Sequence, residues 1–138
     1  MGGIRRVLES TETIGEAFRE AYSEIEALCE EMSSWRDGLA DTNFAGSAKY
    51  DEIEEAEDSL SSAIDELNCV EIPDDLLGLE VTFVMLKGKL SRPKRAIMVA
   101  ARLQAIYDSL EESNVDAAGI SGALSFLETV NFPRAFGG

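Results

Sequence analysis

The chain has 138 residues, 27 acidic and 12 basic side chains and no histidine, for a formal net charge of -15 at pH 7. Its length points to one domain, residues 1–138, able to bury roughly two thirds of the surface of its unfolded chain, and 45% hydrophobic content argues against global disorder. The missing imidazole excludes His-based metal sites and Ser-His or Cys-His nucleophiles, so a non-enzymatic protein without a cofactor is expected.

No apolar run has the length of a membrane span, and "MGGIRRVLESTET" has no apolar signal-peptide core. "MGGIRR" also lacks the Ser or Thr of a myristoylation signal. These absences lead to the expectation of a cytoplasmic protein without a membrane partner. Cys29 and Cys69, far apart and beside apolar positions, read as buried free thiols rather than a disulfide or metal pair.

In chain order, Ile14, Phe18, Ala21, Ile25, Leu28, Met32 and Trp35 recur in a four-three spacing that specifies a helix with a seam for a partner. Thr13 and Glu16 form a capping-box signature at its start, and Gly38 stands just past its predicted end. Tyr22 and Cys29 widen the stripe, so more than one neighbour is expected. Residues 37–47 read as a loop, with Ser47 capping a second helix that carries Ile53, Ala56, Leu60, Ala63, Ile64 and Leu67. Together residues 13–68 predict an acidic antiparallel hairpin, although the same coiled-coil-like seams would equally support pairing between chains.

Residues 69–90 read as a short β element and loop. "LEVTFVML" (79–86) is the strand, with "CVEI" (69–72) as its expected partner across "PDDLLG". A lone ribbon is marginal, so helices or another subunit must support it. Two C-terminal helices are predicted over 91–130. The first starts at Ser91 and Pro93 and continues with Ile97, Ala101 or Arg102, Ile106 and Leu110, with Val99 and Leu103 alongside. The second, Asp116 to Val130, is rich in small residues, and its Gly119 and Gly122 imply close packing against a neighbour. The tail, 131–138, offers Phe132 and Phe136 to this chain's core or to another chain. The fold class expected is mainly α: a heptad-patterned antiparallel helical hairpin, a short β element and two further helices, forming a homo-oligomer through the seam or the β edge.

Charge is segregated. Residues 9–80 hold 22 of the 27 acids and only Arg19, Arg36 and Lys49 as bases, whereas 81–107 hold six bases and no acid. One reading lays the basic segment against the acidic hairpin to relieve its self-repulsion. The other notes that Arg92, Lys94 and Arg95 straddle a helix start, where free amides and the helix dipole favour an anion. On that reading the protein sequesters a small phosphorylated anion such as a nucleotide, held by Lys87, Lys89, Arg92, Lys94, Arg95 and Arg102. Tyr107, Tyr50 or Trp35 would stack on it. Duplex nucleic acid is disfavoured as a direct ligand by repulsion from the remaining surface.

Glu52, Glu54, Glu55, Glu57 and Asp58 are either the solvated face of an amphipathic helix or a row of carboxylates imitating nucleic-acid phosphates. The second option makes Glu54, Glu55 and Asp58 the contacts for a basic protein partner. An assembly or virion role is a third alternative. Asp41 to Glu52 matches part of an EF-hand loop, but Ala45 and Lys49 replace two ligand positions. Glu54 and Asp58 have no Glu-x-x-His partner for a di-iron site, and Gly88 in "LKGKLS" is far from a P-loop. No metal site is expected.

In residues 30–60, Trp35, Arg36 and Asp37 end one helix, and Lys49 and Tyr50 open an acidic one after a polar loop. This segment resembles small uncharacterised phage-encoded acidic helical proteins, over about a quarter of the chain. The resemblance implies a viral setting in the host cytoplasm, where a small non-enzymatic protein counters defence by sequestering or inhibiting a host component. It transfers no functional residue.

Overall fold

The computed structural model describes residues 7–40, 48–86 and 88–132. Strand β1 (Val7–Thr13) runs directly into α1 (Ile14–Ala40) and is followed by α2 (Ala48–Asn68), a 3-10 turn at Asp74–Leu76, β2 (Glu80–Leu86), α3 (Arg92–Glu112) and α4 (Ala118–Thr129). The mainly α architecture with a small β element is the one expected.

Strand becomes helix at Thr13 through the predicted capping box. Thr13 Oγ1 accepts the Glu16 amide at 3.2 Å, and Glu16 Oε1 accepts the Thr13 amide at 3.1 Å. The next two orphan donors of the helix start are taken from outside it, Ile14 N–H by Leu79 O at 2.8 Å and Gly15 N–H by Leu77 O at 3.0 Å. The chain entering β2 is thereby fastened to the base of α1.

The seam is consumed within the chain. Ile14, Ala21, Ile25, Leu28 and Met32 are fully buried, as are Ile53, Leu60 and Ala63 of α2. Phe18 and Trp35 are only partly buried, and Ala17 and Leu39 are buried in addition. The reason is that α1 packs on two helices, α2 and α3, so its apolar arc is wider than a coiled-coil seam. It also runs through Gly38 to Ala40 instead of ending before it. Tyr22 donates to Asn68 at 3.0 Å at one end of the hairpin, and Arg36 pairs with Glu57 towards the other. The hairpin is antiparallel, as expected.

The second pair closes a bundle. Helix α3 packs on α1 and α4, and α4 packs on α2, which leaves α1 and α4, like α2 and α3, on the diagonals. Residues 119 and 122 meet Glu66, so α4 runs antiparallel to α2; Arg92 and Arg102 meet Glu31 and Glu12, so α3 runs antiparallel to α1. The chain therefore has to cross the length of the bundle between α2 and α3, and β2 makes that crossing. Close packing at the α4 glycines is observed: a Cβ on Gly119 would lie 2.6 Å from Glu66 O. Helix α4 starts at Ala118, two residues later than predicted, with Asp116 Oδ1 accepting the Ala118 amide at 3.0 Å.

Three expectations need correction. Strand β2 pairs antiparallel with β1, Thr13 opposite Glu80 and Val7 opposite Leu86, whereas "CVEI" is not a strand. The partner was hidden because β1 contributes Ser10 and Glu12, not apolar residues, opposite the buried Phe83 and Val81. On α3, Ala96, Met98, Val99, Leu103, Ile106 and Leu110 are buried, while Ile97 is exposed and Ala101 and Arg102 are half-buried. Cys69 is exposed and Cys29 half-buried; both are free thiols. Phe132 packs partly buried on the core. Phe136, Ser47 and most of the Asp41–Glu52 stretch lie outside the described residues.

Candidate functional site

The basic segment enters α3 at Ser91, whose carbonyl accepts the Arg95 amide at 2.9 Å, with Pro93 in the first turn. Antiparallel packing then brings the first turn of α3 against the middle of α1. Arg92 Nε donates to Glu31 at 2.9 Å, Arg95 Nη1 reaches the same carboxylate at 2.8 Å, and Arg95 Nε pairs with Glu24. The Arg92 guanidinium also lies 5.4 Å from the Trp35 ring centroid, and Lys49 sits over the same ring at 5.8 Å.

Burial by itself would raise the pKa of Glu31, but the hydrogen bonds and charges of Arg95 and Arg92 outweigh it and hold the carboxyl below its ordinary range. Burial likewise opposes the charge on Arg95, and Glu24 and Glu31 reverse that, holding its guanidinium more firmly protonated than usual. Further along α3, Arg102 forms two bonds to Glu12 at 3.1 Å each and stacks over Phe83 at 5.1 Å. The basic segment thus lies against α1 and β1.

The residues expected to hold one ligand are not gathered at one point. Arg92 and Arg95 form a cluster; Arg102 lies about 15 Å and Tyr107 about 22 Å along the helix axis from Arg92. Tyr107 sits beside Glu111, whose charge pushes the phenol pKa up. Lys89 is exposed and Lys94 half-buried, and Lys87 lies outside the described residues. The open depression beside Arg92 is lined by Glu30, Glu31, Ser34 and Trp35, so carboxylates share it with the guanidinium.

On the far side of the hairpin the picture inverts. Asp51, Glu52, Glu54, Glu55 and Asp58 are exposed on α2, while Glu57 turns to Arg36. The sequence has no lysine or arginine from Tyr50 to Leu86 to neutralise them. Where α2 meets the end of α4, a cleft of about 390 Å³ is lined by Glu52, Glu55, Asp58, Ser59, Thr129 and Asn131. Sequence reasoning found its α2 wall. It missed Thr129 and Asn131, because only the approach of α4 to α2 brings them there.

Burial first, then the charges of Glu57 and Glu30, push the Cys29 thiol above its ordinary pKa, which disfavours the thiolate. Among the described residues no group of His, Cys, Asp and Glu is arranged to hold a metal ion, and no helix is long and apolar enough to cross a membrane. Comparison of the chain with protein-family models, curated proteins and solved structures finds no match.

Proposed function

We propose that the protein is a non-enzymatic binder of a basic protein partner, engaged through the outer face of α2 with Glu54, Glu55 and Asp58 at its centre. The observation that carries this reading is where the charges end up. Arg92, Arg95 and Arg102 are paired with Glu31, Glu24 and Glu12, while Glu54, Glu55 and Asp58 face solvent on a helix whose one base, Lys49, lies in its first turn over the Trp35 ring. A phosphorylated anion at the start of α3 would compete with Glu24 and Glu31 for the arginines. Among the described residues no ion pair holds Glu54, Glu55 or Asp58, so a cationic partner there displaces no arginine from them, and its approach is favoured by a net charge of -15. The partner class that fits best is a nucleic-acid-binding protein, whose basic groove is built to receive a row of anionic groups.

The test is a titration with a defined cationic probe, a lysine–glycine 14-mer, followed by fluorescence anisotropy at 50 and 300 mM NaCl. The wild-type chain should bind at low salt and lose at least ten-fold in affinity at high salt. Joint Glu54→Gln, Glu55→Gln and Asp58→Asn substitution should lose as much at low salt. Unchanged affinity in that variant defeats the reading. A parallel titration with ATP addresses the anion alternative, which requires binding that Arg92→Ala with Arg95→Ala abolishes.

A further inference from the structure

The last turn of α4 and the residues after it form a wall between two unlike depressions. Val130 leaves the helix in extended geometry (φ -62°, ψ 134°), and the residues around it divide between the two depressions. Thr129 and Asn131 face the acidic cleft against α2, whereas Val130 and Phe132, with Leu127, line a groove of about 290 Å³ against α3. The α3 wall of that groove is Pro93, Ala96, Ile97 and Ala100. Ile97 is 57% exposed, more than either other exposed large hydrophobic side chain among the described residues, Val84 and Leu79. A single exposed isoleucine is ordinary. Its position on the rim of an apolar groove, with Glu128 on the same rim and a carboxylate-lined cleft across one helix turn, is a pattern of complementary chemistry.

We infer that groove and cleft together dock one amphipathic basic segment of a partner protein. A bulky apolar side chain of that segment seats between Ile97, Val130 and Phe132, and its lysines or arginines reach over the end of α4 to Glu128, Glu52, Glu55 and Asp58. The helix to be crossed is roughly 10 Å wide, a span that about seven residues of a helical segment cover. Apolar anchoring gives such a complex its orientation, and the carboxylates give it speed of encounter and charge selectivity. This inference rests on the reading of α2 as a cation-binding face.

The test uses the full chain and two fluorescein-labelled 14-mers of equal charge, one an amphipathic leucine–lysine helix and the other the lysine–glycine peptide. The leucine–lysine probe should bind at least ten-fold tighter. Ile97→Gln should erase that advantage and leave the lysine–glycine affinity unchanged, while Glu55→Gln with Asp58→Asn should weaken both. Equal binding of the two probes, with Ile97→Gln silent, overturns the groove and leaves the acidic face standing. No binding of either probe removes both. Ile97→Gln turning a dimer into a monomer in sedimentation velocity, with probe binding unchanged, assigns the groove to a second copy. Phe136→Ala raising leucine–lysine affinity ten-fold assigns it to the chain's own tail; either result overturns the proposal.

Discussion

Arg102 shows how this chain uses its few positive charges. Its side chain is 12% exposed, fixed by two bonds to Glu12 and by the face of Phe83, so it closes the sheet onto α3 as much as it neutralises an acid. Arg102→Met should lower stability by about 2 kcal/mol, because charged hydrogen bonds are lost and Glu12 is left poorly solvated. Arg102→Lys should recover less than half, since an ammonium cannot reproduce the planar fork. Adding Glu12→Gln to Arg102→Met should restore part of the loss, and urea midpoints measure all three. Two carboxylates shape the acid response: Glu16, which the Thr13 amide and hydroxyl hold below its ordinary range, and Glu31, which is bound to arginine. With the folded pKa of each held below the ordinary 4.5, the charged carboxylate stabilises the fold above that pH, and its contribution disappears as pH falls through the lowered value. Urea melts at stepped pH should show stability falling below about pH 4.5, with a shallower fall in Glu31→Gln. An equally steep fall in that variant assigns the acid response to other groups.

The glycines of α4 separate two effects that a helix-propensity scale merges. On Gly119 a Cβ would press within 2.6 Å of the Glu66 carbonyl oxygen and Val70 Cγ2, and a backbone carbonyl inside a helix cannot step aside. Gly119→Ala should therefore destabilise by about 1–3 kcal/mol, overriding the propensity gain of about 1 kcal/mol. On Gly122 the nearest atoms belong to the Glu66 side chain, which can swing away. Gly122→Ala should be neutral or stabilising by up to about 1 kcal/mol. Thermal melts should show a lowered Tm for Gly119→Ala and no loss for Gly122→Ala, and two equal losses would refute this account of the α2–α4 contact. A capped α3 end makes a second contrast. Asn114 adopts φ 59° after α3, with Val115 N–H returned to Leu110 O at 2.9 Å and its own N–H to Glu111 O at 3.0 Å, a Schellman stop built on asparagine. Asn114→Val should cost about 1–2 kcal/mol, because a β-branched side chain resists that conformation, and a drop in the urea midpoint would show it.

At this element scale the sequence was readable wherever one neighbour dictates a pattern. The capping box at Thr13 and Glu16, the hairpin and the small-residue contact of α4 were all visible as spacings. What stayed hidden depended on a partner from elsewhere in the chain. The inner face of β1 offers Ser10 and Glu12, which look like loop residues until Phe83 and Arg102 are placed beside them. Ile97 shared the α3 apolar set by composition, but the tight α1–α3 and α3–α4 contacts turn it outward. The charge blocks were read correctly as blocks; which acids would meet which bases required the antiparallel packing of α3 on α1.

For the whole molecule, the balance between internal ion pairs and overall repulsion fixes the response to salt. The net charge of -15 leaves most carboxylates facing one another across the surface of a small bundle, a repulsion that added ions screen over about 10 Å at 0.1 M and about 3 Å at 1 M. The arginine pairs at 2.8–3.1 Å are in direct contact and partly buried, so the same ions weaken them less. Raising NaCl from 20 mM to 0.5 M should therefore raise the Tm, by about 4 °C if screening contributes about 1 kcal/mol to a domain of this size. A fall in Tm would mean that the contact pairs outweigh the repulsion and that the acidic surface is locally neutralised. The opposite sign is expected of function. Because the proposed cationic partner would bind through the charges that repel one another in the free chain, the salt that strengthens the fold should weaken the complex. Melting and binding measured across one salt series should cross, and parallel trends would place the binding energy somewhere other than the acidic face of α2.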